Sequence, residues 1–82
     1  MNAARAMKQA ERQSLSFEDS DVITEINRYV EAITMKLALA STTAPENLDT
    51  KGILFDARRL NELNERHKAL LAKINTLDEE LG

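Results

Sequence analysis

The chain has no cysteine and no tryptophan, and only one proline, two glycines and one histidine among its 82 residues. Each shortage excludes something. Without cysteine there is no disulfide framework, no thiol chemistry and no cysteine metal site. One histidine and no cysteine make no zinc-type ligand set, so no metal and no cofactor are expected. Aromatics amount to 4% (Phe17, Tyr29 and Phe55), too few for a base-stacking platform. No apolar stretch approaches the roughly 18 residues that span a bilayer. The first residues lack the apolar run of a secretory signal. The expected setting is therefore cytoplasmic or virion-associated, not secreted, with no membrane contact.

So few glycines and prolines leave long stretches free to be helical. At 82 residues the chain is at most one domain. A chain this short buries a modest fraction of its surface alone. Two paired helices have almost no interior, and association is the usual remedy.

The strongest pattern lies in the last third. Leu60, Leu63, His67, Leu70, Ile74, Leu77 and Leu81 alternate spacings of three and four. With Leu60 at position a of a heptad, Ile53, His67, Ile74 and Leu81 also fall at a, and Leu63, Leu70 and Leu77 at d. Asp56 interrupts the d row. A first helix carries a similar row in Ile23, Ile26, Val30, Ile33 and Leu37. Val22 and Tyr29 widen it on one side, and Met35 and Leu39 lie roughly opposite. An apolar surface on more than one side predicts burial on more than one side.

Breaks and caps set the boundaries. Ser16 suits an N-cap with Glu18, Asp19 and Asp21 in the first turn. Residues 1–15 then form an N-terminal arm, flexible or ordered by a partner. Ser41-Thr42-Thr43-Ala44-Pro45 is a turn, and Thr43 with Glu46 reads as a capping box for the next helix. The expected product is all-α: an antiparallel, coiled-coil-like hairpin over 16–82, with helices at about 17–41 and 44–81. Gly52 marks a weak point near 47–52.

The net charge of −3 predicts no nucleic-acid affinity by itself. Its distribution is more informative. Arg59, Arg66 and Lys73 repeat every seven residues at position g. In the frame above, g of the first helix holds Val22, Tyr29 and Lys36, none of them acidic. The basic row is then not neutralised inside the hairpin. With Arg5, Lys8 and Arg12 of the arm, it is a candidate contact for phosphate or for an acidic partner. The acidic end, Asp78-Glu79-Glu80, sits where the helix dipole disfavours acids and is expected to fray or to dock on a basic partner. His67 in the apolar row is expected to be half-buried, with its nitrogens satisfied locally or across an interface.

Catalysis is not expected: there is no nucleophile-base pair, no glycine-rich phosphate loop, and a slim hairpin offers no pocket. The expected function is that of a small assembly, adaptor or chaperone-like protein acting by helix-helix association. Its partner would be itself, as a homo-oligomer, or another helical protein, not a small molecule. Its interface would be the two apolar rows with Met35 and Leu39. Small secretion-system co-chaperones and virion components share this size and architecture. The alternative is a nucleic-acid-associated oligomer, such as a small-terminase-like ring of a viral DNA-packaging adaptor.

Overall fold

The computed structural model describes residues 2–82. Met1, the first residue of the expected arm, lies outside the described residues. Among the described residues the chain forms α1 (Ala3–Ala40), a one-turn 3-10 segment (Pro45–Asn47) and α2 (Thr50–Leu81), and no strand. At about 1.5 Å per residue the helices run roughly 57 and 48 Å. They lie side by side in a rod of 66 × 15 × 14 Å. Their direction is antiparallel. Cross-helix pairs join Arg12 to Asp78, His67 to Asp19, and Lys36 to Asp56, so one number falls as the other rises. The all-α hairpin read from the sequence is the observed fold.

The first helix starts earlier than expected. It runs back through Ser14-Leu15-Ser16 to Ala3. Asn2 is the cap, its Oδ1 accepting from the N–H groups of Ala4 (3.0 Å) and Arg5 (3.3 Å). Ser16 is therefore not a cap, and Glu18, Asp19 and Asp21 lie in the middle of a helix. Two serines cost little in a helix whose other residues favour it. Residues 3–15 also have α2 to pack on. Leu15 joins the core cluster of Val22, Leu63 and Leu70, together with Ile26 and Tyr29.

The turn differs too. Hydroxyls close α1 by donating to carbonyls of its last turn: Ser41 to Ala38 (2.7 Å), and Thr42 (3.1 Å) and Thr43 (2.6 Å) both to Leu39. Thr43 is thus committed backward and does not cap the next helix. Asp49 does, its Oδ1 accepting from the Gly52 N–H at 3.0 Å. The interruption expected near 47–52 falls at Leu48-Asp49, between the 3-10 turn and α2, and Gly52 itself lies within the first turn of the helix. A Cβ there would collide with the Asp49 carboxylate, so glycine is what lets the cap close.

The seam of α2 holds. Leu63, Leu70, Ile74 and Leu77 are buried, and Leu60, His67 and Leu81 are half-buried. The frame of α1 is shifted by one row. Val22 is 3% exposed, whereas Ile23, Val30 and Leu37 are 42%, 45% and 54% exposed. The residues facing α2 are Lys8, Arg12, Leu15, Asp19, Val22, Ile26, Tyr29, Ile33, Lys36 and Ala40, all buried or half-buried. They alternate spacings of four and three without a break. The expected a row, Ile23-Val30-Leu37, therefore stands at position e, beside the seam.

Candidate functional site

With the α1 frame in place, the hairpin has two long edges of opposite character. On one, position g of α1 holds Glu11, Glu18 and Glu25. Opposite stand Lys73, Arg66 and Arg59 of α2. Arg66 meets Glu18 at 2.7 Å, and Arg59 meets Glu25 at 3.7 Å and Glu62 at 3.2 Å. Lys73 and Glu11 line one dent in the surface. The Glu62 hydrogen bond holds the Arg59 guanidinium above its usual range. Arg59 and Arg66 of the basic row are neutralised inside the hairpin after all. The one-row shift of α1 is what replaces Val22, Tyr29 and Lys36 at g by acids.

The expected arm and the acidic end are also each other's partners. Arg12 grips Asp78 with two hydrogen bonds, one of them from Nη2 to Oδ2 at 3.3 Å, and Lys8 reaches Glu80 at 3.1 Å. The Arg12 bond holds the Asp78 carboxyl below the ordinary carboxylate range and raises Arg12 in turn. The acidic C-terminal turn, unfavourable against its own helix dipole, is matched by cations from the start of the chain.

Two polar pairs cross the seam. His67 Nδ1–H donates to Asp19 Oδ1 at 2.6 Å, and Asp19 is 7% exposed. Lys36 Nζ donates to Asp56 Oδ2 at 2.6 Å, and Asp56 is 6% exposed. Asp56, read as a break in the d row, is a buried acceptor, and its hydrogen bond raises the Lys36 ammonium. No buried side-chain polar atom lacks a partner among the described residues. No cluster of three or more metal-ligating side chains occurs among the described residues.

The other edge carries almost no charge. Positions e and b of α1 run from Gln9 to Ser41 at spacings of four and three without an Asp, Glu, Lys or Arg. Ile23, Val30 and Leu37 are its apolar members. The matching rows of α2 carry Leu54, Ala57 and Leu71, with Asn61, Asn64 and Asn75, and only two charges. One, Lys68, bonds Glu65 on its own helix, and the other, Asp78, is held by Arg12. Ala57, Leu60, Asn61 and Asn64 line a shallow dent in this face. Met35 and Leu39, also expected at an interface, are 67% and 65% exposed; Met35 borders this face, sharing a dent with Val30 and Thr34, and Leu39 lies at position g on the far side.

No helix among the described residues is long and apolar enough to cross a membrane. No protein-family model matches the chain, and no curated protein or solved structure is significantly similar to it.

Proposed function

We propose that the protein is a non-enzymatic assembly module, an adaptor or chaperone-like hairpin that works by presenting helical faces to other helices. One observation carries this reading: the rod leaves too much surface uncovered. Its accessible area is 6231 Å². A compact monomer of 9.2 kDa exposes about 4,900 Å². The excess is not polar decoration, because Ile23, Val30, Leu37, Leu54, Leu71, Met35, Leu39 and Phe55 all lie exposed. Exposed apolar surface of this extent marks interaction sites. The alternative, a nucleic-acid-associated ring, draws less support. Arg59, Arg66, Arg12 and Lys8 already face carboxylates of the same chain, and only Arg5 and Lys73 of the six expected phosphate contacts have no ion pair among the described residues.

Thermal unfolding followed by circular dichroism at chain concentrations spanning a hundredfold tests the reading. If association completes the fold, the midpoint rises with concentration. A cooperative midpoint that stays constant, in a chain that sediments as a monomer throughout, would overturn it.

A further inference from the structure

The two edges of the hairpin differ in what they can accept. On the g edge, cations already face acids across the helix pair. Any partner there would have to break or share those bonds. The e edge has only two charged members, Lys68 and Asp78, and both are already bonded to neighbours of the same chain. A charged partner would lose hydration on it and gain nothing in return. Its occupant must therefore be uncharged over the same length.

Such a surface is its own best complement. In a twofold dimer each patch meets its own copy, so like charges would face like charges. This face avoids that conflict. Its polar members are mostly Asn, Ser, Thr and Gln, whose side chains both donate and accept hydrogen bonds. Thr34, in the middle of the apolar stretch, already donates to the Val30 carbonyl at 2.7 Å, so its hydroxyl needs no partner from outside. The area also fits. The chain exposes about 1,300 Å² more than a compact monomer of its mass, and a standard interface covers about 800 Å² of each partner.

The distribution along the face sets the orientation. Its apolar members Ile23, Val30, Leu37, Leu54 and Ala57 occupy the half nearer the turn. The half nearer the termini is polar, from Gln9 to Ser20 on α1, and Asn64, Lys68, Asn75 and Asp78 on α2, with Leu71 the apolar exception. Stacking two hairpins with their turns at the same end lays apolar half on apolar half. It also sets α1 of each copy against α2 of the other, so every neighbouring pair is antiparallel. Stacking them with turns at opposite ends would cover apolar surface with polar.

We infer that the uncharged e face, centred on Val30 and the dent beside Ala57, is the seat of a second copy of this chain. The two hairpins form an antiparallel four-helix bundle with both turns at one end. This rests on the association reading above and gives it a partner and a face.

The test uses the full chain. Val30 is exposed and helical, so Val30→Lys keeps the hairpin and charges the face, whereas Leu39→Lys, at position g, charges the helix away from it. Sedimentation should give twice the 9.2 kDa chain mass for the parent and for Leu39→Lys, and the chain mass for Val30→Lys, all three with the same helical circular dichroism. The chain has no cysteine, so Glu46→Cys carries a single spin label in the turn. At helix spacings of 8–10 Å, the two labels should lie within roughly 30 Å of each other. In the reversed stacking they would approach the 66 Å length of the rod. An associated parent whose mass Val30→Lys leaves unchanged overturns the face, and a label separation near the rod length overturns the orientation. Either result leaves the association reading standing. A parent that never associates overturns both.

Discussion

The buried Asp19–His67 pair is the residue-scale feature with the most direct consequence. Both partners sit in the seam between hydrophobic layers, where an unpaired polar group is costly. Asp19→Ala should destabilise the chain by about 1–3 kcal/mol, because it strands the His67 imidazole. Replacing both with Leu should recover most of that loss, since a matched apolar pair is often as stable as a buried polar one. Urea unfolding of Asp19→Leu, His67→Leu and the double variant measures the coupling. Additive costs would mean that the 2.6 Å contact contributes nothing of its own. The exposed Arg12–Asp78 pair makes a different prediction. Asp78 has its folded-state pKa lowered by the Arg12 hydrogen bond. Its contribution is therefore present above the unfolded carboxylate value, and is lost as pH falls from about 4 through the lower folded value. Relative to the parent, Asp78→Asn should be less stable at pH 6, and the gap should narrow as pH falls towards 2. The pair is solvent-exposed, so the gap is small. Urea midpoints for both proteins at the two pH values check it.

At the scale of elements, the start of α1 is what the sequence describes least well. Residues 3–15 hold good helix formers but a weakly apolar face, which suggests an arm. That face is judged poor only if α2 is left out. Leu15, with the long side chains of Arg12 and Lys8, covers the part of α2 that holds Leu70, Ile74 and Leu77, and the two cations meet Asp78 and Glu80. Deleting residues 2–15 should therefore expose the end of α2. Each of those three side chains draws about 1.5–3 kcal/mol from burial. The truncated chain should lose helix from α2 as well as α1, with amide exchange quickening over residues 70–81. Unchanged protection there would contradict this account of the element. The α2 seam was legible because its apolar rows are strict. The α1 frame was not, because two adjacent rows, Val22-Tyr29 and Ile23-Val30-Leu37, are both apolar. What separates them lies on the other helix: only the Val22-Tyr29 frame brings Glu18 and Glu25 to Arg66 and Arg59. The basic row looked unmatched for the same reason. A row taken in isolation cannot show which row it will face.

For the whole molecule, the consequence of that frame is a rod with one ion-paired edge and one uncharged edge. Folding a single chain covers Val22, Leu63, Leu70, Ile74 and Leu77, and leaves Ile23, Val30 and Leu37 on the surface. The sequence already showed α1 apolar on more than one side, and so predicted a partner beyond α2. It pointed to Met35 and Leu39 as the surplus. The larger surplus is the row it had assigned to the seam. The central claim is that this hairpin is complete only when that row is covered. Sedimentation equilibrium of the unmodified chain at neutral pH and micromolar concentration tests it most directly. The account predicts a single species at twice the 9.2 kDa chain mass, and a helical, cooperatively folded species at 9.2 kDa over the whole concentration range would contradict it.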